Sequence, residues 1–267
     1  MNGLLILTIC LIAPLLIGGL SAAAIRYYEA KKTVRNTPSL LAPFTEVLDR
    51  LRLRSATLHP AQVFLAALSL AFHGLALGLL VWRKSLPPVL FLQAAGLLTM
   101  VLAGSGRSVP FVGPSLNHAL RSSLTIQPLL FLIAAGVFFA SGSFSLMPVS
   151  EFSWVLGINL PLLWLVLLRI EAAGPRAVAA KAPEGDMADA LIQLSQCYRS
   201  ATLLLLAGFF WAQGMVGAVA AAVLLHGILV IAPKLRLPWR TQLADSWGLA
   251  YFAAGLNICW LYIKFWL

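Results

Sequence analysis

Apolar residues form long runs along most of the chain, and short polar segments separate these runs. An α-helix needs about 20 such residues to cross the hydrocarbon core of a bilayer. Eight runs approach or reach this length: residues 3–25, 60–81, 87–103, 124–141, 152–169, 195–212, 215–232 and 246–267. The pattern predicts an all-α integral membrane protein with about eight transmembrane helices, in which residues 1–267 form a single polytopic membrane domain.

Three of these runs allow an alternative interpretation. The third and fourth runs are short and contain Gln93 and Gln127-Pro128, so either could be a tilted or broken helix. The first run resembles a signal peptide, but no positive segment precedes it and basic residues follow it. We therefore interpret the first run as a permanent span.

The first polar segment, residues 26–59, contains a second kind of pattern. Between Ser39 and Leu53, apolar residues recur at helical spacing and charged residues lie on the other side. This spacing predicts an amphipathic helix that lies along the membrane interface. Two roles are open for it: packing on the bundle as a surface helix, or docking a soluble partner.

The distribution of charge predicts the orientation. Only 10% of the residues are charged and 60% are hydrophobic, too few charges to cover a soluble globule. Of the 19 lysines and arginines, 16 lie in alternate connections, which the positive-inside rule places in the cytoplasm. Residues 26–59 and 170–194 are then cytoplasmic loops, and both termini lie outside. The predicted location is the inner (cytoplasmic) membrane of a bacterium, as a multi-pass protein.

The net charge of +10 does not indicate a nucleic-acid partner. The cations lie between apolar runs, and they do not form one face with interleaved aromatic residues. Cys10, Cys197 and Cys259 are isolated and lack metal-site spacing, and we find no nucleophile constellation. No catalytic residue and no metal site are predicted, which leaves a transporter, a membrane anchor or an ion-translocating subunit.

Few ionisable residues lie within the runs. His73 and His226 are near the middle of theirs, and Glu171 is at the cytoplasmic end of the fifth. Ionisable groups in hydrocarbon mark ion paths or pairing, and a histidine can either join helices or relay a proton. Gly74 and Gly78 form a GxxxG motif, which predicts close helix packing by the second run.

Four segments, in order along the chain, carry a family resemblance. They are Ala13–Arg26 with the amphipathic helix, Gly104–Gly106 with Pro110–Leu130, Arg169–Glu184, and Leu235–Pro238 with Trp247–Leu249. Together they resemble the membrane subunit shared by formate hydrogenlyase (subunit 4), energy-converting group 4 hydrogenases and the quinone site of respiratory complex I. Two features differ from that family. Gln127 stands where the family has glutamate before proline, and the loop after Glu171 has few acidic residues.

The resemblance implies a connecting membrane subunit of a redox complex. Its expected partners are soluble hydrogenase-like or dehydrogenase-like subunits in the cytoplasm, antiporter-like membrane subunits, and lipid. No cofactor is expected in this chain, since Fe–S and Ni–Fe or other redox centres would lie in partner subunits, although a quinone could bind. The resemblance also implies redox-coupled movement of protons or sodium ions.

Two sets of residues are predicted from these arguments. The candidates for a proton path are Glu171, His73, His226 and Gln127. The candidates for the docking surface are Arg35, Leu48, Leu51, Arg107 and Arg121. A small multi-pass secondary transporter is the alternative, and an internal repeat or discontinuous helices around a midplane site would indicate it.

Overall fold

The computed structural model describes residues 8, 12–20, 41–52, 60–82, 85–105, 112–144, 153–172, 187–212, 214–231 and 247–266. The backbone in these ranges is helical apart from short turns, which confirms the all-α prediction. The helices are α1 (12–20), α2 (Ala42–Arg52), α3 (Pro60–Val81), α4 (Leu86–Ser105), α5 (Val112–Ser141), α6 (Ser153–Asn159), α7 (Pro161–Ala172), α8 (Met187–Phe209), α9 (Gly214–Ile231) and α10 (Trp247–Trp266).

Each of the eight apolar runs coincides with helix in the described part of the chain. Three segments are long and apolar enough to cross a membrane: Pro60–Val81, Leu86–Gly104 and Leu124–Ser141. Helices α8 and α9 pass the same criteria together, although they are bent by 118° at the short break between them. The described helices therefore include three or four membrane-capable spans, and the number eight stays a prediction.

Helix α3 shows how the apolar sequence is divided between the bundle and the lipid. Its buried residues recur every three or four positions and include the polar Ser69 and His73. Phe64 and Leu75 of α3, and Trp82 directly after it, are large apolar residues that are exposed. Because exposed apolar side chains of this size suit a hydrocarbon solvent, we infer that they face lipid and that the polar residues of α3 face protein.

Helix α8 lies at the centre of the described bundle, in contact with α2, α3, α4, α7 and α9. A neighbouring group consists of α5, α7 and α10, and the α4–α5 and α7–α8 contacts join the two groups. Fifteen of the 23 residues of α8 are buried, including the whole stretch from Thr202 to Phe209. Burial on nearly every side explains why the C-terminal half of α8, from Leu203 to Phe209, is apolar around its full circumference.

Glycine allows close backbone contact where α8 meets α9. A Cβ atom on Gly208 would lie 2.3 Å from the carbonyl oxygen of Ala218. Gly157 of α6 donates its N–H to the carbonyl of Phe210 at 2.9 Å, so α6 lies against the end of α8. The predicted packing role of Gly74 and Gly78 is wrong within the described residues, because a Cβ on either would meet nothing within 4 Å.

The helix break falls in the fifth apolar run, and α4 and α5 continue through Gln93 and Pro128. Pro161 has no N–H and starts α7 directly after Leu160, so the hydrogen-bond ladder is interrupted there. Asn257 of α10 spans the interruption. Its Oδ1 accepts from the N–H groups of Leu162 and Leu163 at 3.0 and 3.1 Å, and its Nδ2 donates to the carbonyl of Asn159 at 2.8 Å.

Candidate functional site

The buried polar side chains of α8 define the candidate site. Asp189, Ser195, Arg199 and Thr202 are each 5% exposed or less, although helices on several sides of α8 are apolar. The 16 cations that the charge argument assigned to alternate connections include Arg199, and this assignment is wrong because Arg199 lies within α8. The helix continues through Arg199, whose guanidinium donates to the carbonyl of Ile170 in α7 at 3.0 Å.

The first centre joins α3, α4 and α8 around His73. The ring Nδ1 lies 2.9 Å from the carbonyl of Ser69 and 2.9 Å from the hydroxyl of Ser195. The two serine hydroxyls are 2.7 Å apart, and Ser69 donates to the carbonyl of Gly96 at 2.8 Å. His73, Ser69 and Ser195 are all 0% exposed, so this hydrogen-bonded group is closed to solvent.

One assignment of protons satisfies the whole first centre. Carbonyl oxygens only accept hydrogen bonds. Nδ1 of His73 is therefore protonated and donates to the carbonyl of Ser69, and the hydroxyl of Ser69 donates to the carbonyl of Gly96. Ser195 must then donate to the Ser69 hydroxyl and can accept from Nδ1. In the neutral ring, the other nitrogen of His73, Nε2, is left as an acceptor.

The second centre joins α7 and α8 around Glu171. Its carboxylate is 5% exposed and accepts a hydrogen bond from the hydroxyl of Ser200. Ser200 follows Arg199 directly in α8. The two neighbours therefore bond to the last turn of α7, Ser200 to the carboxylate of Glu171 and Arg199 to the carbonyl of Ile170. Arg169, two residues before Glu171, places its guanidinium 5.0 Å from the ring centre of Trp247 in α10. Glu171 thus lies inside the bundle, where a charge needs these polar neighbours.

His226 belongs to a cavity next to the second centre. The cavity measures about 100 Å³ and lies among α1, α8 and α9. Cys197, Ser200 and His226 are its polar residues, and the rest of the lining is apolar or glycine. Ser200 therefore contacts Glu171 and also lines the space that His226 lines. Ligand pockets usually enclose about 300–1,000 Å³, so this cavity is smaller than a typical ligand pocket.

The proton-path candidates are thus brought together only in part. His73 reaches α8 through Ser195, and Glu171 and His226 both adjoin Ser200. Gln127 lies elsewhere, half-buried on α5, and the described residues give its side chain no hydrogen bond.

Sequence reasoning set aside Gln93, which is 3% exposed on α4. It also passed over Ser69, Ser195 and Ser200, because a single hydroxyl residue in an apolar run carries no visible signal. The spacing of Ser69 and His73, four apart on one helix, was the available indication.

The predicted docking residues are described unequally. Arg35 and Arg107 lie outside the described residues, and Arg121 lies in α5 without a described side chain. Leu48 on α2 is 53% exposed, whereas Leu51 packs against the buried core. One part of the apolar face of α2 therefore packs on the bundle and another part stays open, and the docking role stays a prediction.

Apolar helices around a polar interior define the class of a polytopic helical membrane protein. The fold is similar to that of one chain of the membrane-bound sulfane sulfur reductase, an archaeal respiratory membrane complex. The TM-score is 0.73 over 97% of this chain and 99% of that chain, with 16% sequence identity. No protein-family model and no curated protein matches the chain. The two chains therefore share a fold along nearly their whole length.

Proposed function

We propose that this chain is the membrane subunit that anchors and connects a complex I-like or formate hydrogenlyase-like redox assembly. The observation that carries this proposal is the fold, shared end to end with a chain of a respiratory membrane complex. In this proposal, soluble hydrogenase-like or dehydrogenase-like subunits sit on the cytoplasmic side and hold the redox centres. Antiporter-like subunits lie beside the chain in the membrane.

The open part of α2 supports the docking role. Leu41 and Leu48 are 67% and 53% exposed, while Phe44 packs toward Gly19 of α1 and Leu51 toward the core. A helix that is fixed on one side and apolar on another presents a firm surface to a partner. Leu48 tests that surface best, because its replacement leaves the contacts of Phe44 and Leu51 in place.

We expect Leu48→Asp to release the soluble subunits while the membrane bundle remains inserted. A carboxylate on the exposed apolar face would have to be desolvated in the interface. The measurement is co-purification of partner subunits with the tagged chain in mild detergent. Leu48→Met keeps the apolar surface and serves as the control. An intact complex in the Leu48→Asp variant would show that α2 only covers the bundle.

The two polar centres support a contribution to redox-coupled ion movement. They place Glu171, His226 and His73 along one central helix, so that a proton has polar groups near it over part of the membrane depth. Gln127 cannot titrate, so in this proposal the route runs along α8 and not through α5.

We expect Glu171→Gln to lower coupled proton transport modestly and to leave assembly intact. The glutamine oxygen can still accept from Ser200, but the side chain can no longer take up and release a proton. Transport is measured with the complex reconstituted in vesicles. Glu171→Asp is the matched control, since it keeps a carboxylate that can take up and release a proton at the same position. Equal transport in Glu171→Gln and the unmodified complex would assign the ions to a neighbouring subunit.

One observation favours the alternative of a small secondary transporter. The break between α6 and α7 is a discontinuous helix, which transporters use to bind substrate at exposed helix ends. Here Asn257 already occupies the N–H groups that start α7, so those groups are not open to a substrate. Solute uptake by the purified chain alone in proteoliposomes would support the alternative over an anchoring subunit.

A further inference from the structure

Two neighbouring helices bury polar groups whose hydrogen bonds are not completed by the described residues. They are Nε2 of His73 on α3 and both amide atoms of Gln93 on α4. The side chains are 0% and 3% exposed, so bulk solvent does not reach them. Leaving buried donors and acceptors unpaired is costly, and proteins commonly complete such groups with internal water.

Gly96 brings these groups to the same place. A Cβ atom on Gly96 would lie 3.0 Å from Nε2 of His73, so the ring edge rests against the backbone of α4. Gln93 precedes Gly96 by three residues, a spacing that puts both on one face about 5–6 Å apart. Gln93 and Nε2 of His73 therefore lie at the same face of α4, in a part of the bundle that bulk solvent does not reach.

The hydrogen-bond directions at His73 make the two groups complementary. The first centre commits Nδ1 as the donor, which leaves Nε2 as an acceptor in the neutral ring. Gln93 offers two N–H donors and one acceptor oxygen. A water molecule that donates to Nε2 and accepts from the amide of Gln93 satisfies both side chains, and such a water typically makes about three hydrogen bonds.

We propose that His73 and Gln93 hold one or two ordered water molecules between α3 and α4, and that His73 takes up a proton from this water at Nε2. The first half is a binding site for water that stands on geometry alone. The second half rests on the proposed function, since it makes His73 a proton-carrying group of the transport route. An excess proton carried by this water passes to Nε2 and leaves neutral water behind, and on release it returns from Nε2 to the water, while Nδ1 keeps its hydrogen bond to Ser69.

The surroundings make the protonated ring short-lived. Ser195, which contacts His73, lies one turn before Arg199 on α8, and the guanidinium is a second positive charge in the same interior. The carboxylate of Glu171 lies beyond, bonded to Ser200. The positive charge of Arg199 disfavours a second positive charge on His73, and the carboxylate of Glu171 partly offsets this repulsion. The repulsion suits a group that releases a proton readily and does not store it.

The water site is tested on the full chain in liposomes with ¹⁵N-labelled histidine. Solid-state nuclear magnetic resonance measures the transfer of magnetisation from water protons to the ring nitrogens, and His73→Gln assigns the signal. We expect Nε2 of His73 to receive this transfer in the unmodified chain and to lose most of it in Gln93→Leu. Gln62→Leu is the matched control, because it removes another buried glutamine, on α3. This substitution should leave the signal of His73 unchanged.

Transport by the reconstituted complex tests the second half. We expect Gln93→Leu to lower proton transport several-fold, as His73→Gln does, while Gln62→Leu matches the unmodified complex. No water transfer to His73 in the unmodified chain would overturn the water site. Normal water transfer with full transport in His73→Gln would overturn the proton-carrying role. If the unmodified complex moves no protons, the proposed transport function fails, and the water site is decided by the resonance experiment alone.

Discussion

Replacing Asn257 by leucine is expected to lower the free energy of unfolding by about 3 kcal/mol or more. The change removes three hydrogen bonds at the break between α6 and α7 and leaves two N–H groups and one carbonyl without their partner. A buried group left unpaired costs about 1–3 kcal/mol, and smaller values per bond have been found inside membranes. The measurement is denaturant or thermal unfolding of the purified chain in detergent.

Asn257→Asp is the control that separates the two hydrogen bonds that Asn257 accepts from the one that it donates. The carboxylate can still accept from the N–H groups of Leu162 and Leu163, and a negative charge near the start of α7 is favoured by the helix dipole. The donor to the carbonyl of Asn159 is lost, and a carboxylate oxygen faces that carbonyl at a position that is only 2% exposed. We therefore expect Asn257→Asp to be intermediate in stability. Equal stability of Asn257→Leu and the unmodified chain would mean that the backbone at the break finds other partners.

Replacing Gly208 by alanine is expected to separate α8 from α9 and to destabilise the bundle strongly. The added methyl group would lie 2.3 Å from the carbonyl oxygen of Ala218 and 3.2 Å from its Cα. Both neighbours are backbone atoms, which cannot move aside as a flexible side chain can. Overpacking of this kind costs about 1–3 kcal/mol and sometimes more. The yield of folded, monodisperse protein and its unfolding midpoint measure the effect.

Gly227 of α9 gives the opposite expectation for the same substitution. A Cβ atom there meets nothing within 4 Å, so Gly227→Ala adds no clash. Alanine favours helix over glycine by about 1 kcal/mol in a helix interior, so this variant should be neutral or slightly more stable. If both alanine variants behave alike, the close contact between α8 and α9 does not limit stability.

The apolar parts of the helices could be predicted from the sequence because long apolar runs mark them, although α5 and α8 begin 12 and 8 residues before their runs. The run at residues 60–81 matches α3 residue for residue, and the amphipathic pattern between Ser39 and Leu53 contains α2. The break near Pro161 was not predicted, although Pro128 and Gln93 were suspected elsewhere. A break at a proline inside a membrane helix is tolerated only where a neighbour satisfies the freed backbone groups. That neighbour, Asn257, lies almost 100 residues further along the chain.

The candidate site was predictable only as separate residues. His73, Glu171 and His226 stood out because they are ionisable in an apolar sequence, whereas Ser195 and Ser200 did not. Arg199 was misplaced because positive charge usually marks a loop. It is buried instead, since α7 ends beside it and offers a carbonyl. The GxxxG motif of Gly74 and Gly78 failed for a related reason: the motif shows that a helix can be approached closely, not which face is used.

Because helices are synthesised in chain order, α3 is made well before α8, the helix that it contacts through Ser195. Ser69 and its partner Ser195 are 126 residues apart, which corresponds to about 6–25 s of translation at ordinary elongation speeds. During that interval α3 and α4 exist before α8 has been made. Ser69 and His73 can already bond to the carbonyl of Gly96 on α4 and to their own helix, but the hydroxyl of Ser195 is still missing. The hydrogen-bonded group around His73 is therefore completed only when the sixth apolar run is made, and slower synthesis of residues 105–195 would lengthen that interval.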